Sequence, residues 1–336
     1  MATVKAWIYT NAGYPETLQF QDIDAPPKPA TNHILVQVKA AALNPVDVQM
    51  MNLPINSIPG LNGPKIVGRD FAGIVLDAAP GIGFVKGDEV MGLTMAIDGS
   101  GSLTEVAHID IRSSAIVKKP ENMSWNEAAS LPLVWLTAYT AIERCAPYMQ
   151  GINGQNKIVV LGGSSATGIY SVQLARKRGW KVLSTCSGRN AEFVRHLGAN
   201  EVVDYTVSPD AVYSAVYAFK PDAVVDCVGG TDCIGLAKRY VTIVGDKILR
   251  SSVGGKFLYL ISPRMVLRWL LGYIGLGNSY DCILFEMNNQ WLQEATKLPS
   301  EDIVIDSVFQ FGTANEAFKK LSTGRARGKV VIEIQS

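Results

Sequence analysis

The chain has 336 residues, 48% of them hydrophobic, and a formal net charge of +1. That length suits about two domains of roughly 100–200 residues each, and the near-neutral balance gives no electrostatic reason to expect a nucleic acid partner. The five cysteines (Cys145, Cys186, Cys227, Cys233, Cys282) are odd in number and scattered, with no C-x-x-C pair. They read as reduced thiols in a cytoplasmic protein, not as a disulfide framework or a zinc finger.

Residues 1–10 alternate like a first strand, so neither a secretory nor a mitochondrial leader is expected there. The first third then reads as short strands at 5–9, 34–42, 71–76, 89–93 and 103–108, separated by turn clusters rich in Pro and Gly. That grammar predicts a barrel-like all-β domain. Ser124-Trp125-Asn126-Glu127 has the form of a capping box, with helix following over 127–130, an interruption at Pro132 and a second helix over 137–146. From Lys157 strands alternate with helical segments: 158–161, 181–185, 201–204, 223–227, 240–244 and 282–285. This is the rhythm of a doubly wound parallel sheet. A helix over 288–297, a strand over 304–311, a helix over 314–321 and a strand over 329–334 close the chain. The expected architecture is α/β and discontinuous, with residues 1–124 and 288–336 forming the β-rich domain and 125–287 the doubly wound one. The cleft between the two is the expected active site.

The chemistry concentrates at 157–182. A buried strand runs into a turn of small residues and then into a helix over 169–178, an arrangement that aims backbone N–H groups and the helix dipole at one point, where a pyrophosphate fits. The turn reads Gly163-Ser164-Ser165-Ala166-Thr167-Gly168, a G-x-G-x-x-G fingerprint with Ser165 in place of its middle glycine. By itself it is equally an ordinary strand–helix turn. The hydroxyls of Ser164, Ser165 and Thr167 are suited to phosphate oxygens. At the end of the second strand an NAD site carries an acid for the ribose 2′-hydroxyl. Here Thr185-Cys186-Ser187-Gly188-Arg189-Asn190 has none. Ser187, Arg189 and Asn190 would donate to a 2′-phosphate, so NADPH is the expected cofactor; the alternative is a plain polar loop.

From end to end the chain resembles the zinc-independent quinone oxidoreductase branch of the medium-chain dehydrogenase/reductase superfamily. The residues that carry the likeness are Leu43-Asn44-Pro45-Val46-Asp47, Gly68-Arg69-Asp70-Phe71-Ala72-Gly73, Gly87-Asp88-Glu89-Val90, Leu131-Pro132-Leu133 with Leu136-Thr137-Ala138, and Gly328-Lys329-Val330-Val331. Tyr240-Val241-Thr242 and residues 324–329 look closest to the reticulon-4-interacting-protein and yeast Yim-type subgroup. The turn resembles that of fungal polyketide enoyl reductases. The resemblance implies a GroES-like β-barrel catalytic domain and a Rossmann domain.

It also implies site roles. Asn44 and Asp47 match residues beside the nicotinamide and ribose, although Asn-Pro also simply initiates a turn. Thr137 matches a residue near the nicotinamide, or is a satisfied helix hydroxyl. Tyr205 matches a 2′-phosphate ligand. Lys329 would reach the cofactor from the barrel side, or is a solvated strand lysine. Gly229 and Gly230 follow the strand at 223–227, where the chain passes over the dinucleotide. Zinc alcohol dehydrogenases of this superfamily carry Cys at the position of Asn44 and Gly-His-Glu at Gly68-Arg69-Asp70. An amide and a guanidinium do not replace thiolate and imidazole, and His33, His108 and His196 have no ligand spacing, so no metal is expected.

The reading is therefore hydride transfer from NADPH to a small apolar enone or quinone, with no proton donor identifiable. The alternative is an NADPH-binding protein with vestigial catalysis and a lipid-associated or regulatory role. Monomer and homodimer both stay open. Residues 256–277 are strongly apolar but interrupted by Pro263, Arg264 and Arg268, which argues against a spanning helix. A buried helix or subunit contact, a lid over a greasy substrate and a peripheral lipid contact all remain as readings of that stretch.

Overall fold

The computed structural model describes residues 2–150, 155–246 and 262–334, and its chain divides into two units. One comprises residues 2–133 and 287–334, the other residues 134–150, 155–246 and 262–286. In chain order the first unit opens with β1 (Thr3–Tyr9), β2 (Gln19–Asp24), β3 (His33–Leu43), α1 (Pro45–Met51), β4 (Lys65–Ile66), β5 (Asp70–Ala78), β6 (Glu89–Thr94), β7 (Val106–Asp110), β8 (Ser114–Lys118) and α2 (Trp125–Ser130). The spine is β3, whose even positions from Ile34 to Ala40 are buried while the odd ones are half-buried. That period of two puts one face into the core. β3 pairs antiparallel with β5 and with β7. Capping by Ser124, whose Oγ accepts from the Glu127 N–H while Glu127 answers at the Ser124 N–H, starts α2 where the sequence predicts.

Helix α3 (Pro132–Cys145) begins at the proline that was expected to interrupt it. Proline is accepted in the first helical turn because the N–H it lacks has no intrahelical partner there. The second unit continues with β9 (Lys157–Leu161), α4 (Ala166–Lys177), β10 (Lys181–Cys186), α5 (Ala191–His196), β11 (Glu201–Asp204), α6 (Ala211–Phe219), β12 (Ala223–Asp226), β13 (Arg239–Thr242), α7 (Pro263–Tyr273) and β14 (Ser279–Cys282). All pairs in this sheet are parallel, in the order β11-β10-β9-β12-β13-β14. The strand order reverses between β9 and β12, the switch point at which such sheets bind ligands. The last strand lies at 279–282, not at 282–285 as the apolar run suggested, and Leu284 is among the most exposed apolar side chains.

The chain then returns to the first unit with α8 (Asn289–Ala295), β15 (Ile305–Gln310), α9 (Ala314–Ser322) and β16 (Lys329–Glu333). β15 and β16 pair parallel, and β16 pairs antiparallel with β3. The first unit's main sheet runs β15-β16-β3-β5-β6-β8, with β7 also on β3, beside a smaller sheet β2-β1-β4. Trp7, Val36, Phe71, Leu103, Phe318 and Ile332 belong to the core it encloses. Residues 103–105 of the expected strand at 103–108 lie outside β7. Of the apolar stretch 256–277, residues 256–261 lie outside the described residues. Most of the rest forms α7, Pro263–Tyr273, where Met265 is buried and Val266, Leu267, Trp269, Leu270 and Tyr273 are exposed, so this is not a buried helix. No helix among the described residues is long and apolar enough to cross a membrane.

Candidate functional site

In the second unit, β9 ends at Leu161 and Gly162, with φ +88°, turns the chain. Three glycines make the turn possible. A Cβ at Gly162 would strike Val228, one at Gly163 would strike Ser184, and one at Gly168 would overlap the Gly162 carbonyl oxygen. The Gly162 N–H donates to Thr185 Oγ1 at 2.9 Å and the Gly163 N–H to the Thr185 carbonyl at 2.9 Å, which ties the turn to β10. Ser165 is the N-cap of α4. Its Oγ accepts from the Gly168 N–H at 3.1 Å and donates to the Gly162 carbonyl at 2.7 Å. The expectation that this hydroxyl is available to a phosphate is therefore corrected: it is spent on the turn. Within the described residues the N–H groups of Ser164, Ala166 and Thr167 make no hydrogen bond. Unpaired amides at the positive end of a helix fit a pyrophosphate.

Beside the turn a cavity of about 520 Å³ is lined by Leu161, Thr185, Tyr205, Val228, Gly229 and Gly230, among others. It lies at the ends of β9, β10, β11 and β12, that is, at the switch point. Asp226 shapes its wall. Its buried carboxylate accepts from the Val228 N–H at 3.0 Å, the Gly229 N–H at 2.8 Å and the Thr242 hydroxyl at 2.9 Å. Burial pushes this carboxyl up, and those bonds pull it back. Asn190 Nδ2 reaches Ser164 Oγ at 3.3 Å and Ser187 Oγ at 3.4 Å, which brings the loop after β10 onto the turn. Arg189 is exposed beside them, and Tyr205 is half-buried at the end of β11. Asp204, which sequence reading passed over, accepts from the Thr206 N–H and hydroxyl. Those bonds and a backbone bond from Gly188 hold its carboxyl below the usual range.

In the first unit a buried polar corner forms where β3, α1, β5 and β16 meet. Asp70 is its hub, at 0% exposure. Its Oδ2 accepts from Lys329 Nζ at 2.9 Å and from Asn44 Nδ2 at 2.8 Å, and its Oδ1 accepts from the Leu133 N–H at 2.9 Å. Lys329 Nζ also donates to Asn44 Oδ1 at 2.6 Å and to the Leu43 carbonyl at 3.1 Å. The expectation that Lys329 touches the cofactor is thus corrected: its three N–H groups are consumed inside the domain, and it orients Asn44 instead. Both N–H groups of the Asn44 amide are likewise spent, on Asp70 and on the Ala42 carbonyl. Asp47 Oδ2 accepts from the Asn44 N–H at 2.7 Å. Arg69 is buried next to this network, with Nη1 donating to the Ala96 carbonyl at 2.6 Å. Burial pushes the Asp47 carboxyl up to about 7, with Arg69 the strongest opposing influence.

Thr137 lies on α3 in the second unit and is 7% exposed. Sequence reasoning named Asn44, Asp47 and Lys329 as candidates but not Asp70, the partner that Asn44 and Lys329 share, because the contact between Asp70 and Lys329 spans 259 positions. Asp226 was legible in principle: an Asp followed at i+3 and i+4 by Gly-Gly is an Asx-type turn signal. Among the described residues no group of three or more His, Cys, Asp and Glu could hold a metal ion.

Residues 30–121 match the family model of the alcohol dehydrogenase GroES-like domain, and residues 197–332 that of zinc-binding dehydrogenases. The chain is 30% identical to the mitochondrial NAD(P)H oxidoreductase RTN4IP1 of Homo sapiens, over 98% of this chain and 89% of that one. It is 31% identical to the 2-methylene-furan-3-one reductase of Solanum lycopersicum, over 98% and 79%. A quinone oxidoreductase structure from Coxiella burnetii superposes with TM-score 0.79 at 27% identity, covering 99% of this chain and 100% of that one. The strand order, the glycine turn and these likenesses agree: the chain belongs to the medium-chain dehydrogenase/reductase superfamily, in its quinone oxidoreductase branch.

Proposed function

We propose that this chain is an NADPH-dependent oxidoreductase whose acceptor is an α,β-unsaturated carbonyl or a quinone. The observation that carries the choice of acceptor is the buried corner of the first unit. There the Lys329 ammonium lies on Asn44 and Asp70, with the Arg69 guanidinium alongside. Two fixed cations, an amide, and an Asp70 carboxylate whose oxygens already accept from Lys329, Asn44 and Leu133 are a poor donor set for a metal, which needs thiolate, imidazole or free carboxylate lone pairs. A substrate that must first be polarised by a Lewis acid is therefore disfavoured, and one that is already electrophilic is favoured. The names of relatives point the same way: one is a quinone oxidoreductase homolog and another reduces a 2-methylene-furan-3-one, by its name an exocyclic enone.

The amides of Ser164, Ala166 and Thr167 would hold the pyrophosphate within the turn from Gly163 to Gly168. Ser187, Arg189, Asn190 and Tyr205 would receive the 2′-phosphate, and Gly229 the ribose side of the cavity. When bound, the reduced nicotinamide supplies the hydride. The chain's own part is to orient and to keep water out, with Asn44, Asp47 and Thr137 as the residues nearest the chemistry. Loss of NADPH absorbance with a panel of quinones, enals and enoyl thioesters tests this. Turnover on at least one of these acceptors and none on simple alcohols with NADP⁺ is expected; efficient alcohol oxidation would overturn it. A second reading, an NADPH-binding protein that associates with lipid, is favoured by the exposed apolar face of α7. Cofactor binding without turnover on any acceptor, together with sedimentation on phosphatidylcholine vesicles, would favour it.

A further inference from the structure

Two atoms of the buried corner are left out of its network. Asp47 Oδ1 and Arg69 Nε have no hydrogen-bond partner among the described residues, although the two residues are 1% and 4% exposed. Buried polar atoms are nearly always paired, and leaving one unpaired is costly. The two groups are opposite in charge and each senses the other, yet these two atoms do not meet. An N–H donor and a carboxyl oxygen left unpaired in the same buried corner suit one small group that accepts from the first and exchanges a proton with the second. A water molecule has that chemistry.

We infer that Asp47 and Arg69 hold a water between them and that this trio is the proton relay that completes enone reduction. The inference rests on the functional reading above. Every charged neighbour of Asp47 bears on its protonation. Arg69 next to β5, Lys329 on β16 and the Asn44 N–H favour the carboxylate, whereas Asp70 on β5 and burial favour the acid; Tyr9 on β1 is the remaining titratable group that interacts with Asp47. Burial prevails, and the carboxyl keeps its proton up to about pH 7.

Hydride arrives at the β-carbon with both electrons, the reduced nicotinamide being oxidised, and leaves an enolate. A C–H bond must then form at the α-carbon. The bridging water gives its proton to that carbon while the Asp47 O–H bond breaks and restores the water. The carboxylate regains a proton from solvent. Arg69 Nε–H fixes the water and stabilises negative charge on it during the transfer. Protonation at carbon is slow without a positioned acid, whereas the oxygens of a reduced quinone take protons directly from solvent.

Asp47→Asn tests the relay, because the amide oxygen can still accept from the Asn44 N–H. The expected result is a fall in kcat of about 10²-fold on an enone, at least tenfold greater than the fall on a quinone, with the KM for NADPH little changed. In the wild type the enone kcat should decline above about pH 7, and the variant should lack that decline. Independently of turnover, difference infrared spectra of the wild type should show a carboxylic-acid C=O band that disappears as pH rises through about 7 and is missing from the variant. Equal losses on both acceptors, or no such band at pH 6, would overturn the relay. A wild type that reduces neither acceptor would sink the functional reading itself.

Discussion

Replacing Lys329 by Met separates a structural cation from a catalytic one. The ammonium is 2% exposed and Asp70 is 0% exposed, so the pair is beyond the reach of solvent screening. Lys329→Met keeps most of the volume but leaves Asp70 charged, with only the Asn44 amide and the Leu133 N–H as donors. Breaking a buried pair by removing one partner costs about 3–5 kcal/mol. In a domain of this size each kcal/mol lowers Tm by about 2–4 °C, so a loss on the order of 10 °C is expected. The double variant Asp70→Asn with Lys329→Met removes both charges while an amide oxygen still receives the Leu133 N–H. It should recover about half of the loss, leaving it about 2 kcal/mol more stable than Lys329→Met, so that the double costs clearly less than the sum of the singles. Urea unfolding followed by circular dichroism of the four proteins gives the cycle. A Lys329→Met variant within about 3 °C of the wild type, or a double variant as unstable as the sum of the singles, would refute the argument that the corner depends on charge pairing.

Other outcomes follow from the same geometry. Arg189→Ala should cost NADPH about 1.5–3 kcal/mol of binding, roughly 10- to 100-fold, while NADH binding changes far less; equal losses in titration calorimetry would remove Arg189 from the 2′-phosphate site. Gly168→Ala places a Cβ on the Gly162 carbonyl oxygen and should destabilise by about 1–3 kcal/mol and weaken dinucleotide binding. A melting temperature and dissociation constant equal to the wild type's would show that the turn yields freely. Asp47, raised from 3.8 to about 7 in the folded state, binds its proton more tightly folded than unfolded. Its contribution to stability is full below about pH 4 and is lost as pH rises to about 7, on the order of 4 kcal/mol in all. The wild type minus Asp47→Asn difference in unfolding free energy should therefore shrink over that window and stay flat above it, and parallel curves would contradict the raised value.

What could be read from sequence was local. The βαβ unit at 157–186 announces itself because strand, turn and helix are neighbours in the chain, and the capping box at Ser124 does so for the same reason. β2 escaped because nearly all its residues are exposed and no alternation marks it. Pro132 misled because a proline inside an apolar run reads as a break unless the helix happens to start there. The last strand of the parallel sheet was placed too late because Ile283, Leu284 and Phe285 look like its core, whereas Tyr280 is the residue that turns inward. In the first unit the motifs around Asn44 and Asp70 and the lysine at 329 were each visible. That they form one network was not, since β16 must first pair with β3 to bring Lys329 to Leu43.

The fingerprint at the turn carries the same lesson at smaller scale. Measured against G-x-G-x-x-G, Ser165 is a defect. In the structure Ser165 has φ −74° and ψ 157°, a conformation any residue adopts, so no glycine is required there. The left-handed residue is Gly162, one position before the pattern begins. Close approaches fall at Gly162 itself, against Val228, at Gly163, against β10, and at Gly168, against the turn's own carbonyl. The steric demands of a dinucleotide turn are thus met by Gly162, Gly163 and Gly168, and the position released from them carries a side chain that caps α4. A serine at an N-cap is worth about 1 kcal/mol over alanine. It also draws the Gly168 N–H inward, while the amides of Ser164, Ala166 and Thr167 stay unpaired. What looked like a degraded motif is a turn in which one residue stabilises the helix and its neighbours leave their amides unpaired.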